Sequence, residues 1–451
     1  MTAPVETTEA PRSAAGGRFS ADVLLVFLTM GLTRSMEVVT GVLTARLLGP
    51  HDRGLYSLLV MIPTTLESLL KLGIAPANVY MICRNRVSSA HVAANSVVLA
   101  LALGAVALLV LPFHDVLGAT LLDHVDDWHL TLAVLLVPFH LLSTYMTSVL
   151  YALNLFPIVN RRTILAAGLR LAGTALVLVA LQKGLFEVFL VHVAVMALAG
   201  VWLVPVVWRV TAASLRPNAA IASATVGFGL KSHLQTLLTA LHLRLDHFII
   251  AFYLGSAEVA FYAIATHIAE LISGIHRPVS VVLYPRLAAT SEARMHETTI
   301  TVARHVLLLE AAAAIGVAVV AKWVILLLYG RDYLPAVAPL FIVLPGVLMF
   351  SLFNLLARNF MSRNQQQVTI VAGAVGLVAN VVLNLILIPR LGISGAALAS
   401  TVSYSLATVI LLVSFRRVSG ASLVGLVKVE KSDLTFYVRL LARFTARPIA
   451  A

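Results

Sequence analysis

Between residues 229 and 287 an otherwise apolar stretch carries Lys231, His233, His242, Arg244, Asp246, His247, His267, Glu270 and Arg277. A charged side chain at the centre of a bilayer costs about 2.5–3.5 kcal/mol on insertion scales. Charges repeated within one apolar hairpin therefore predict that they face a polar, water-filled space and not lipid. The basic members suit an anionic ligand. Arginine grips a phosphate with two parallel N–H donors, and lysine offers a point charge. The acidic members suit a coupling ion that binds and leaves.

Helical spacing shows which residues share a face. In the first apolar span Arg34 and Glu37 are three apart, and Gly41 and Thr44 continue that side. In the second, Tyr56, Pro63, Glu67 and Lys71 form a stripe. In the seventh, Lys231, Gln235, His242 and Asp246 share one face, with His233, Arg244 and His247 roughly opposite. In the eighth, His267, Glu270, Gly274 and Arg277 line one side. The candidate anion-binding residues are thus Arg34, Lys71, Lys231, Arg244 and Arg277. Gln235 and Tyr262 add neutral polar groups that could contact the ligand. Glu37, Glu67, Asp246 and Glu270 are candidates for ion coupling. Arg34 lies about fourteen residues, or roughly 21 Å, into its span, where snorkelling to the surface is hard. The competing structural reading is a permanent ion pair, Arg34 with Glu37 above all. Arg170, Glu310 and Arg358 add charge to other spans, and Arg358 is placed to snorkel from a helix end.

These stripes need helices to carry them, and composition supplies the class. Of 451 residues, 60% are hydrophobic and 12% charged, with a mean hydropathy of +0.96. A soluble protein cannot hide that much apolar surface, so an all-α polytopic membrane protein is expected. The net charge of +12 then reflects Lys- and Arg-rich loops, and no nucleic-acid partner is expected. Cys83 is the single cysteine, which excludes an intramolecular disulfide. There is no G-x-x-x-x-G-K-[ST], no H-E-x-x-H and no cysteine pair, so neither a nucleotide nor a metal cofactor is predicted.

Twelve spans are predicted, at residues 20–48, 54–81, 91–113, 128–153, 159–181, 185–208, 226–254, 257–287, 299–328, 333–361, 366–388 and 393–415. Residues 1–19 form a disordered tail, 20–209 a first six-helix lobe, 210–224 a linker, 225–416 a second lobe, and 417–451 a basic tail. The N-terminal stretch lacks the basic n-region and cleavage site of a signal peptide. Arginines cluster in alternate connections (Arg84 and Arg86, Arg161 and Arg162, Arg209 and Arg216, Arg286 and Arg294, Arg363), whereas one opposite loop holds Asp115, Asp123, Asp126 and Asp127. This bias places both termini in the cytoplasm. In the last tail Arg439, Arg443 and Arg447 recur every four residues beside Leu440, Leu441 and Phe444, the pattern of an interfacial helix.

An internal repeat halves the chain. Gly49 and Gly255 lie 206 residues apart, as do Tyr56 and Tyr262, and at that offset Lys71 falls on Arg277. Six spans per half is an even number, so the halves share an orientation and are expected to be related by a pseudo-twofold axis along the membrane normal.

The segments LLGPHDRGLY after the first span, LRLDHFIIAFYLGSAEVAFYAIA in the seventh and eighth, VLYPRLA and IPRLGISGAALAS resemble the polysaccharide (O-antigen and exopolysaccharide) flippase family. That family belongs to the superfamily of multidrug and oligosaccharidyl-lipid exporters. The resemblance covers residues 20–416. It implies two six-helix lobes around a central cavity lined by spans 1, 2, 7 and 8. It implies alternating-access flipping of an isoprenoid-diphosphate-linked oligosaccharide in a bacterial cytoplasmic membrane, for which Gln235 and Tyr262 are candidate sugar contacts. The implied partners are that lipid-linked substrate, membrane lipids, and a polysaccharide polymerase with export machinery. One departure is Ala260 and Phe261 where many relatives have glycine before the tyrosine. Two other readings compete: an ion-coupled multidrug exporter, in which the acids matter most, and a membrane-embedded glycosyltransferase or polymerase. The second lacks the large outer loop and catalytic acids such an enzyme needs.

Overall fold

The computed structural model describes residues 12–83, 87–115, 127–211, 216–276, 279, 292–363, 365–420 and 423–426. Every regular element among them is helical. This is what a bilayer demands, because a helix satisfies its backbone polar groups internally. Nine described helices are long and apolar enough to cross a membrane, or ten if a bent pair counts as one span. The protein is a multi-pass membrane protein. Its chain divides into two compact units, the second beginning at Leu234.

The first unit opens with α1 (Arg12–Leu70), which is kinked at Gly49 (φ 78, ψ 173). That backbone region is open essentially to glycine alone. Pro50 follows and restarts the helix, having no N–H to leave unpaired there. α1 ends at a turn through Leu72 (φ 44) and Gly73 (φ 65). The chain then bends by 50° into α2 (Ile74–Cys83). The second span was expected to run unbroken from 54 to 81; the structure interrupts it beside Lys71.

α3 (Ser89–Ala107) tightens into a 3-10 turn, Leu108–Phe113. α4 (Asp127–Leu135) and α5 (Val137–Ala152) form one span, with Pro138 starting the second piece. α6 (Phe156–Ala175) and α7 (Leu185–Thr211) complete the unit's long helices. α5 is the hub, packing against α2, α3 and α7, while α6 packs on α1. At Gly104 a Cβ would lie 2.4 Å from the Pro138 Cβ, so α3 meets α5 at van der Waals distance only because that residue is glycine.

α8 (Ala219–His242) holds the boundary between the units within its length. The seventh span was expected to be one helix. Instead the chain breaks at Leu243–Arg244 and resumes as α9 (Leu245–Leu254), with Arg244 at its N-cap (φ −129, ψ −28). Gly255 (φ 90, ψ −179) leads into α10 (Ser256–Ser273). Gly49 and Gly255, paired by the repeat, thus adopt nearly the same glycine-only conformation. α11 (Glu292–Leu328), α12 (Val337–Ser362), α13 (Gln366–Leu391) and α14 (Ile393–Ser419) follow. α14 packs along both α12 and α13. Their core includes Leu355, Leu356, Phe360, Leu411 and Phe415. Outward faces are apolar as well, for example Val319 and Leu327, each 74% exposed, as expected of a surface solvated by lipid.

Candidate functional site

In the first unit the charges meet one another. The Arg34 Nη1 donates to the Glu37 Oε2 at 3.0 Å, and the Arg170 Nη2, from α6, reaches the Glu37 Oε1 at 3.4 Å. One carboxylate is shared by two guanidinium groups, so the cluster keeps a net positive charge. Arg34 is exposed while Glu37 and Arg170 are half-buried. The ion pair weighed from the sequence is present. Because Arg170 shares the acid, Arg34 is not needed to neutralise it.

Lower on α1, Glu67 is committed to α5. Thr144 donates to its Oε1 at 2.8 Å, and the His140 Nδ1 lies 3.3 Å from its Oε2. The Tyr145 hydroxyl donates to the Lys71 carbonyl oxygen at 3.2 Å. His233 approaches the Leu69 carbonyl oxygen, 3.0 Å from its Nε2. Glu67 and Lys71 thus frame a helix end that α5 pins in place. Proximity to the break leaves the half-buried Lys71 side chain beside irregular backbone, which in a membrane occurs where it lines a cavity or is enclosed by protein.

In the second unit an acid meets neutral donors. Asp246 is 2% exposed. Tyr262 donates to its Oδ2 and Asn384 to its Oδ1, each at 2.7 Å. Ser400 donates to Oδ2 as well. The network continues from Asn384 to the Asn380 Oδ1 at 3.0 Å, while the Asn380 amide lies 3.4 Å from the Ser403 Oγ and the His242 Nε2 lies 2.9 Å from that oxygen. His247 stacks edge-on to Tyr262 at 5.0 Å. Asp246 also lies in the first turn of α9, where an acid is favoured by the helix dipole.

Two small cavities flank this network. One is lined by Gln235, Thr239, His242 and Tyr404, the other by Asp246, Tyr262, Thr266, Glu270 and Tyr404. The structure therefore brings Gln235, Asp246, Tyr262 and Glu270 together around Tyr404. Tyr262 was expected to contact sugars. Its hydroxyl instead serves Asp246, inside the unit and 1% exposed. Arg244 is half-buried at the N-cap of α9. The side chain of Lys231 lies outside what is described, as do Arg277, the VLYPRLA segment and the tail beyond Leu426.

Sequence reasoning missed Asn380, Asn384, Ser400, Ser403 and Tyr404. The signal was there: Asn380 and Asn384 are one turn apart in an apolar helix, and Ser400, Ser403 and Tyr404 share a face of the next.

These helices and clusters define a multi-pass protein with the fold of a known group of membrane transporters. The solved structure "Lipid II flippase MurJ, inward closed conformation" matches with a TM-score of 0.74 and 15% identity, covering 94% of this chain and 100% of that one. An inward-facing multidrug resistance MATE family transporter matches at 0.73 and 15%, covering 88% and 98%. A Pyrococcus furiosus transporter of the MOP superfamily, described as having a binding pocket of reversed polarity, matches at 0.65 and 15%, covering 88% and 94%. No curated protein matches the sequence. A sequence model of polysaccharide biosynthesis proteins matches residues 43–338, and the chain belongs to that family.

Proposed function

We propose that this protein flips an isoprenoid-diphosphate-linked oligosaccharide across a bacterial cytoplasmic membrane for surface polysaccharide synthesis. The observation that carries this reading is the Arg34–Glu37–Arg170 cluster. Two cations share one acid at membrane depth, in a chain of the polysaccharide biosynthesis family. An uncompensated guanidinium there is costly unless an anion visits it. A diphosphate suits that task because its oxygens accept parallel N–H donors. Arg34 binds the diphosphate, with Arg244, Lys71, Lys231 and Arg277 as further basic contacts, and Gln235 faces the glycan. Both termini are cytoplasmic, the two lobes are the moving bodies, and substrate binding shifts them between inward- and outward-open states. A polysaccharide polymerase is the natural consumer of the product.

Asp246 is the coupling-ion site in this reading. Its carboxylate and the Asn384 Oδ1, a buried acceptor without a hydrogen-bond partner among the described residues, offer the oxygen atoms that a proton or a hard cation takes. Glu37 and Glu67 are held by permanent partners, and Glu270 borders the Asp246 cavity.

The test is a strain from which the gene has been removed. It is expected to lose surface glycan and to accumulate lipid-linked oligosaccharide that an impermeant glycosidase cannot reach in right-side-out vesicles. Sensitivity to cationic drugs is expected to stay unchanged. Normal surface glycan together with raised drug sensitivity overturns the reading in favour of a multidrug exporter.

A further inference from the structure

The first unit carries a groove of about 240 Å³ between α6 and α7. Two glycines shape it. At Gly173 a Cβ would lie 2.6 Å from the Val191 Cγ1, so α6 and α7 touch there. At Gly200 a Cβ would lie 2.7 Å from the Phe139 carbonyl oxygen, so further along α7 leans onto α5 instead. The groove opens where α7 leaves α6. Ala166 and Val195 are its buried floor, and Leu165, Leu169, Leu198 and Trp202, 41% to 66% exposed, are its walls. Both helices belong to spans apolar enough to cross a membrane, so these walls meet hydrocarbon.

One end of the groove is cationic. Arg162 lines it. Its Nε donates to the Ala199 carbonyl oxygen at 3.3 Å, and its Nη2 donates to the Ser143 Oγ. Both acceptors are neutral, and among the described residues no acid lies within ion-pair distance of Arg162. A guanidinium has five N–H donors, so donors remain for an acceptor from outside the protein. Arg162 is half-buried and fixed by two helices while its charge is left unmatched. Arg161, exposed, adds a second cation at the same end.

Depth agrees with charge. Arg162 is about six residues into α6, or roughly 9 Å. Trp202 is about nine residues before the end of α7, or roughly 14 Å. Successive spans are antiparallel, so both lie toward one membrane face, where basic and tryptophan side chains meet the headgroups. Deeper than Arg162 the groove is apolar. A cation at headgroup level above a hydrocarbon-lined slot is the complement of a lipid phosphate and its acyl chain. A zwitterionic headgroup brings a cation of its own toward two arginines, whereas an anionic one does not. The groove lies open along its length, so the bulk lipid of the leaflet is the occupant it meets.

We propose that this groove binds an anionic phospholipid. One acyl chain lies over Ala166 and Val195, and the phosphate takes the remaining donors of Arg162 with Arg161 beside it. The site does not depend on what the protein transports.

The experiment places the full-length protein in phosphatidylcholine nanodiscs with a trace of phosphatidylglycerol that carries a photoactivatable diazirine on one acyl chain. A parallel sample carries the same trace of diazirine phosphatidylcholine. After illumination, labelled peptides are mapped by mass spectrometry. Phosphatidylglycerol is expected to label residues 165–169 and 195–202 about fivefold or more above phosphatidylcholine, the weight of one basic group beside an anionic headgroup. Arg161→Gln with Arg162→Gln should remove that preference. Leu169→Trp, which fills the groove and keeps both arginines, should do the same. Equal labelling by the two lipids in the wild-type protein overturns the site, whether or not the variants fold. A preference that survives in the arginine variant overturns it too. So does label that an added isoprenyl diphosphate displaces and unlabelled phosphatidylglycerol does not, because the groove then holds the tail of another lipid.

Discussion

Glu37 in the first unit meets two guanidinium groups, whereas Asp246 in the second meets a phenol, a hydroxyl and an amide. The two solutions to burying an acid in a membrane have different consequences. A carboxylate held by arginines already has its counter-charge, because the guanidinium never gives up its proton. What can vary there is the surplus positive charge, which an anionic ligand can use. A carboxylate held by neutral donors has no counter-charge of its own. Its donors supply no opposite charge, so a proton or a cation can bind there and leave. In the reading proposed above, the first unit receives an anion and the second exchanges an ion.

The largest effect is expected from Arg34→Ala, which should abolish surface glycan while leaving the protein inserted. Arg170 remains on Glu37, so the fold is not left with an uncompensated acid. Arg34→Lys should keep part of the export if a point charge suffices. Glycan at wild-type level in Arg34→Ala would assign the cluster a purely structural role. Recovery in Arg34→Ala with Glu37→Ala would do the same, because the loss then came from the acid.

The same chemical change made in both units should give opposite results. Asp246→Asn removes the charge but keeps an oxygen for Tyr262 and Ser400, so folding is retained and export falls by roughly tenfold or more, the equivalent of about 1.4 kcal/mol. Glu67→Gln keeps its bond from Thr144 and leaves export near the wild-type level. Export assayed in cells at matched expression decides the matter; equal losses would erase the distinction between a coupling acid and a positioning one.

Much of this was legible in the sequence. Hydropathy alone reveals a helical membrane protein, and helical spacing placed Arg34 beside Glu37 and Asp246 on a polar stripe. The break after Lys71 also had a signal, Gly73 followed by Pro76. The break at Arg244 had none, since LHLRLDH contains no glycine or proline. Nor could spacing find Asn384 and Ser400 as donors to Asp246, since they come from helices more than 130 residues away. A carboxylate's partners are set by which helices pack together, and periodicity within one helix carries no information on that. The role expected of Tyr262 changed for the same reason: a tyrosine on a polar stripe reads alike whether it faces a ligand or a buried acid.

The smallest effects concern single hydroxyls. Tyr262→Phe removes a donor to Asp246, and Thr144→Val removes a donor to Glu67, with little change of shape in either case. Glu67 keeps a side chain 17% exposed, so water can replace the lost hydroxyl, and Thr144→Val should cost under about 1 kcal/mol. Asp246 has no such access. A hydrogen bond to a buried charged group is worth about 1.5–3 kcal/mol, against about 1 kcal/mol for one to a neutral group. Tyr262→Phe should therefore lower the melting temperature more than Thr144→Val, measured in the same detergent. It should also weaken the dependence of stability on added sodium or on pH, whichever ion occupies the site. If the two variants melt together and both keep the wild-type ion dependence, Tyr262 is not holding an ion-binding carboxylate, and the contrast between the units loses its energetic basis.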